Sequence, residues 1–126
     1  MIQRQSSLMI MDNSGAKSVQ CISILGGFKK KIAYIVDIIV VSVKHIRVRN
    51  KSKVKVKKGE VLRAVIVKTK YRKKKKDGTT LQFNTNSGVL LNKQNKPIAT
   101  RILNSIPKEF RHHKFMKITT LSSAIL

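Results

Sequence analysis

The sequence predicts an all-β fold, a barrel or a sandwich, on three observations. Apolar residues fall in short β-branched runs punctuated by Gly, Asn, Asp and Ser clusters, the signature of strands joined by turns and not of a helical bundle. Between His45 and Lys57 the pattern has a period of two, with Ile46, Val48, Val54 and Val56 alternating with Arg47, Arg49, Lys53, Lys55 and Lys57, so one face is apolar and the other cationic. The chain has 126 residues and is 41% hydrophobic, room for one domain over 1–126 with one modest core. A barrel part is expected at about 1–103 and a short helical part at about 104–126.

The first strand, Leu8–Met11, is stopped by Asp12-Asn13-Ser14-Gly15, whose side chains bond their own backbone and whose glycine accepts positive φ. A second strand, Val19–Leu25, ends at Gly26-Gly27. Ile35–Val43 is apolar on both faces except at Asp37 and Ser42, as expected of an interior strand. His45–Lys57 reads as a basic ribbon or hairpin with Asn50-Lys51-Ser52 between its halves. Lys58-Gly59-Glu60 leads into a second buried strand, Val61–Val67; Val65 and Val67, with Ile38 and Val40, are expected in the barrel core. Lys73–Lys76 run into Asp77-Gly78, a favoured two-residue hairpin turn, with Leu81 and Phe83 on the return. Asn86-Ser87-Gly88 is expected to turn into Val89-Leu90-Leu91, and Asn95-Lys96-Pro97 to close another hairpin before Ile98–Leu103. In the last quarter Ser105 is placed to cap one short helix, Pro107–His113, with Glu109 near its positive end. Phe115, Met116, Ile118 and Leu121 then return apolar residues to the core.

Charge is the strongest functional signal. Lys and Arg number 28 against 5 Asp and Glu, a net charge of +23 that repels itself in so small a body unless a polyanion neutralises it. Other classes are poorly supplied. Cys21 alone makes no disulfide within the chain, which excludes a stapled secreted scaffold. Ile35–Val43, the longest apolar stretch, is far short of the roughly 20 residues that span a bilayer as a helix, so no membrane insertion is expected. Arg4 precedes only the brief run Leu8–Met11, too short for a signal-peptide core. The five carboxylates, Asp12, Asp37, Glu60, Asp77 and Glu109, are scattered without a close pair, and no enzyme is expected. Glu109 and His112 have the spacing of a bundle metal site, but Lys108, Arg111 and Lys114 around them oppose a cation; no metal and no cofactor is expected. Cys21, with Ile22 and Ile24 after it in a predicted strand, reads as a small buried thiol.

The basic clusters therefore carry the function. The candidate RNA-binding residues are Lys29, Lys30 and Lys31; Arg47, Arg49, Lys51, Lys53, Lys55 and Lys57; and Lys70, Arg72, Lys73, Lys74, Lys75 and Lys76. Almost no acid interrupts these runs, whereas an ordinary solvated surface mixes both signs. With 5% aromatic residues, no Trp, and 21 Lys against 7 Arg, phosphate and shape recognition of folded RNA is favoured over base stacking or bidentate base reading. Gly26-Gly27 before Lys29–Lys31 forms a candidate anion nest.

Many separated segments are similar to those of the universal large-subunit ribosomal protein fourteen family, in its bacterial and organellar form. They are Met1-Ile2-Gln3, Asp12–Ala16, Cys21-Ile22, Leu25-Gly26-Gly27, Lys57-Lys58-Gly59, Ala64–Val67, Asp77-Gly78, Phe83, Asn86, Val89-Leu90, Pro97–Ile102 and Phe115–Ile118. The resemblance implies a small five-stranded β-barrel with a projecting basic β-ribbon and a short C-terminal helix. It implies a structural, non-catalytic role in translation: binding large-subunit rRNA, touching ribosomal proteins three and nineteen, and meeting small-subunit rRNA at an inter-subunit bridge. It further implies that a ribosome-silencing factor can dock on a patch matching Thr100, Arg101 and Lys117. The chain departs from the family at Ala99, Asn104 and Ser105, which replace Gly, Gly and Pro, at Val36, which replaces a Gly, and over the tail 122–126. Richness in Lys and Ile, 21 and 15 residues, with only 5 Ala, fits an A/T-rich genome. The expected location is the ribosome of a mitochondrion, in the matrix and organelle-encoded, with a bacterial cytoplasm as the alternative. The competing function is a free RNA chaperone or translation-associated RNA-binding module.

Overall fold

Five short, largely apolar segments close into a barrel in the order β1 (Ser7–Ile10), β2 (Ala16–Ile24), β3 (Ile38–Ile46), β4 (Val61–Lys68) and β7 (Ser87–Leu91). This is a computed structural model, and it describes residues 1–47, 54–112 and 114–126. Neighbouring strands pair antiparallel except at the seam, where β1 runs parallel to β7 with Met9 opposite Ser87 and Ile10 opposite Gly88. Between β4 and β7 the chain makes a two-stranded ribbon, β5 (Lys73–Lys74) and β6 (Thr80–Leu81). After β7 come a 3-10 helix, Lys108–His112, and one α-helix, α1 (Met116–Leu121).

Alternation along the strands builds two cores. Leu8, Ile10, Val19, Cys21, Ile39, Val41, Val43, Ala64, Ile66 and Leu90 fill the barrel. Val65, Val67, Val89 and Leu91, on the opposite faces of β4 and β7, are covered by Ile102, Ile106, Phe110, Phe115 and Ile118 of the C-terminal segment. Val65 and Val67 are thus fully buried, but under that segment and not inside the barrel; Ile38 and Val40 are only half-buried. The expected parity of β3 and β4 is corrected. In a run apolar at every position, the pattern cannot tell which alternate set faces inward.

Other expectations change in detail. The third strand starts at Ile38 and not Ile35, because Val36 has φ 77°, a left-handed turn conformation unfavourable to a β-branched side chain. The same position is the one where the resembling family carries Gly. The ribbon tip is a three-residue loop: Gly78 N–H donates to Lys75 O at 3.2 Å, Lys75 N–H donates to Thr79 O at 2.8 Å, and Gly78 has φ 81°. That is a type I turn closed by a bulge glycine. Ser87 and Gly88 belong to β7; a Cβ at Gly88 would stand 2.9 Å from the Val65 carbonyl oxygen, so this glycine serves close strand approach and not a turn. Ile98–Leu103 makes only isolated bridges at Ile102, to Asp12 and Ser122, in place of a strand.

The expected helix Pro107–His113 is a 3-10 helix at Lys108–His112, the tighter form that short pieces adopt, and α1 follows it as an unexpected second helix. Ser105 does not cap it; its hydroxyl accepts from Lys68 Nζ at 3.4 Å. Phe115, Ile118 and Leu121 pack into the second core, but Met116 is exposed. Of the basic ribbon at His45–Lys57, β3 carries the part up to Ile46, while residues 48–53 lie outside the described residues. Beyond them Val56 is buried with Lys55 and Lys57 exposed, so the alternation persists without a strand.

The seam is completed by a side chain. Asp12 is fully buried, its Oδ2 accepting from Leu90 N–H at 3.0 Å and its Oδ1 from Ser14 N–H at 2.9 Å and from the Ser14 hydroxyl. The acceptor next in the parallel ladder for Leu90 N–H would be the Met11 carbonyl. That carbonyl instead takes Leu103 N–H at 2.9 Å, tying the C-terminal segment to the barrel.

Removing the carboxylate in Asp12→Ala strands two buried N–H donors at about 1–3 kcal/mol each, so the stability loss should be about 2–6 kcal/mol. Asp12→Asn keeps one acceptor oxygen and should lose less. Urea unfolding measures both; an Ala variant within about 1 kcal/mol of the parent would refute this account of the seam.

Candidate nucleic-acid interface

The loop from Gly26 to Lys31 joins β2 to β3 through consecutive positive φ values of 101° and 155° at the two glycines. Lys29 and Lys31 are exposed; Lys30 is half-buried, its ammonium 2.9 Å from Asp37 Oδ1. Asp37 Oδ2 also accepts Tyr34 N–H at 2.8 Å, so this carboxylate fastens the loop to the start of β3. An open depression of about 490 Å³ beside the loop is lined by Gln3, Arg4, Gly27 and Lys29 to Lys31.

The second cationic feature is the β5–β6 ribbon. Lys70, Arg72, Lys74 and Lys76 are exposed and Lys75 is half-buried, whereas Lys73 Nζ is 3.1 Å from Glu109 Oε2 on the 3-10 helix. Lys70 N–H donates to Asn86 Oδ1 at 2.8 Å, which sets the direction of the chain into the ribbon. At the tip, hydrogen bonds from the Thr79 hydroxyl and N–H hold the Asp77 carboxyl below its ordinary range. Asp77 therefore stays ionised as the turn's own acceptor.

Among the described residues, the ion pairs are Lys30–Asp37 and Lys73–Glu109. The other candidate cations in the described part make neutral contacts or none. Arg47 Nη2 donates to Ile10 O at 3.0 Å and Lys55 Nζ to Ile98 O at 3.2 Å, while Lys57 is exposed. Arg49, Lys51 and Lys53 lie outside the described residues. Burial lowers the affinity of the Lys68 ammonium for its proton, and Lys68 lies 5.2 Å from the Phe83 ring centroid.

Thr100, Arg101 and Lys117 are all exposed. Asn13 fixes the first two, its Oδ1 accepting from Thr100 N–H at 3.1 Å and Arg101 N–H at 3.3 Å and its Nδ2 donating to Thr100 Oγ1 at 3.0 Å. The stretch carrying Arg101 meets α1 where Ile102 N–H donates to Leu121 O at 3.0 Å. Lys117, on the first turn of α1, lines a depression with Lys96, Pro97 and Met116. The two stretches thus meet at Ile102 and Leu121.

Sequence reasoning passed over Phe28, which is 94% exposed beside Lys29 to Lys31. A phenylalanine next to Gly-Gly, with no alternating apolar partner, is the signal that could have found it. Among the described residues no cluster of potential ligands is placed to hold a metal. The family model of ribosomal protein L14p/L23e matches residues 1–126, the whole length of the sequence.

Cys21 is buried in β2, and burial pushes its thiol above the ordinary range, with a smaller opposing pull from Arg4. Little thiolate forms near neutral pH, so alkylation by iodoacetamide should require opening of the barrel and run at least about a hundredfold slower than in urea. Comparable rates in the folded and unfolded chain would place Cys21 at an accessible site.

Proposed function

As a member of the L14p/L23e family of ribosomal proteins, the chain is a structural, non-catalytic component of the large ribosomal subunit that binds rRNA, and we propose how its surface is divided. Large-subunit rRNA is held by the cations of the 26–31 loop, of the β5–β6 ribbon with Lys70 and Arg72, and of Arg47, Lys55 and Lys57. Arg49, Lys51 and Lys53 extend that set by their sequence. The observation that carries this reading is that most of these cations sit exposed on loops and turns with few carboxylates near them. Phosphate neutralisation by such a surface releases counterions and gives affinity that falls steeply with salt.

Thr100, Arg101 and Lys117 face away from that anchorage in this reading. They serve the contact with small-subunit rRNA at an inter-subunit bridge, or the docking of a silencing factor, while ribosomal proteins three and nineteen flank the barrel. Support comes from their exposure and from the convergence of the two stretches that bear them. The compositional bias toward Lys and Ile supports a mitochondrial, organelle-encoded ribosome. Sedimentation of the protein with ribosomal particles from purified organelles tests that location, and its recovery only from bacterial cytoplasm would reject it.

Replacing Lys74, Lys75 and Lys76 with Gln should weaken binding to large-subunit rRNA and reduce the salt slope by about one unit for each phosphate that is no longer neutralised. An unchanged slope assigns the ribbon tip to solvent or protein. The double reversal Arg101→Glu, Lys117→Glu should leave the protein in assembled large subunits and impair joining to small subunits. Loss from large subunits would make the patch an rRNA anchor, and normal joining with normal factor binding would remove its proposed role.

A further inference from the structure

Phe28 is the most exposed large apolar side chain among the described residues, at 94%. A single exposed apolar side chain is ordinary on a protein surface, so exposure alone argues nothing. The surroundings do. The backbone turns through φ 101° at Gly26, 155° at Gly27 and 62° at Lys29, so the residues on both sides of Phe28 adopt left-handed conformations. Lys30 fastens the loop beneath, its N–H reaching Gly27 O at 3.5 Å and its ammonium reaching Asp37 at 2.9 Å. Lys29 Nζ stands 5.6 Å from the ring centroid, and Arg4, Gly27, Lys29 and Lys31 line the neighbouring depression. Tyr34 and Tyr71, the other exposed aromatic residues in the described part, lie in or beside the same lysine-rich loops, with centroids 6.2 Å apart.

We propose that Phe28 is a stacking platform for an unpaired base of large-subunit rRNA, with Lys29, Lys31 and Arg4 holding the phosphates that flank it. A ring set among cations is matched by a polyanion that carries flat apolar faces of its own, and an unstacked RNA base supplies both. A protein pocket receiving the ring would also need acids to meet Arg4, Lys29 and Lys31. The inference rests on the rRNA-binding reading and deepens it: stacking, which the low aromatic content argues against for the protein as a whole, acts at one position.

The chain contains no Trp, so Phe28→Trp places a single reporter at the site. Titrated with a large-subunit rRNA transcript, this variant should bind nearly as well as the parent, with its emission quenched. Phe28→Ala and Phe28→Leu should each weaken binding by about 5- to 150-fold, with the salt slope unchanged, as loss of one stacked base requires. Affinity retained by Phe28→Leu would mean apolar insertion, and affinity retained by Phe28→Ala, or unquenched emission from the Phe28→Trp variant, would mean no RNA contact; each overturns the proposal. Parent binding with its normal salt slope, measured alongside, keeps the rRNA reading intact when only this inference fails. If the parent itself does not bind, both fall.

Discussion

The buried carboxylate of Asp12 closes the structure. Four of the five junctions in the barrel are antiparallel ladders, but the fifth is a short parallel seam between β1 and β7. Asp12 takes over from the backbone there, accepting Leu90 N–H and leaving the Met11 carbonyl to Leu103. One side chain thus closes the barrel while freeing a backbone acceptor to hold the C-terminal segment. A buried carboxyl is costly unless its oxygens accept hydrogen bonds, and here the donors are Leu90 N–H and the N–H and hydroxyl of Ser14. The turn Asp12–Gly15 is therefore part of the core as well as a connection.

From that closure follows the separation of roles between the two sides of β4 and β7. Their inward residues complete the barrel, and their outward residues form the floor of the second core, roofed by the 3-10 helix and α1. Burial on both faces keeps Ala64–Val67 and Ser87–Leu91 free of cations, which fall at the flanks of β4, on the β5–β6 ribbon and on turns and loops. With a net charge of +23, the folded chain is under electrostatic self-repulsion that a polyanion relieves. The two ion pairs among the described residues relieve little of it, and both hold loops in place: Asp37 secures the 26–31 loop and Glu109 secures the base of the β5–β6 ribbon. The few acids shape the surface that presents the many bases.

Much of this was legible in the sequence. Short β-branched runs locate β1, β2, β4 and the end of β7, because those residues fit a pleated, half-buried surface. In the described part, the cationic clusters fall mostly on loops and turns, with Lys73 and Lys74 in β5. Three things were not legible. The inward parity of β4 is hidden because Val65, Ile66 and Val67 are equally apolar. Gly88 reads as a turn, since sequence cannot separate a need for positive φ from a need for close strand approach. The partners of Lys30 and Lys73 depend on carboxylates brought near by the fold, one of them 36 residues away in the chain.

We propose that the barrel closed at Asp12 presents rRNA-binding cations from the 26–31 loop and the β5–β6 ribbon. Amide hydrogen exchange, compared between the free protein and its complex with large-subunit rRNA, tests this most directly. RNA should slow exchange in the 26–31 loop and between Lys70 and Leu81, while Leu90 already exchanges as slowly as the deepest barrel amides in the free protein. Protection gained only around Arg101 and α1, or a Leu90 amide that exchanges quickly in the free protein, would contradict it.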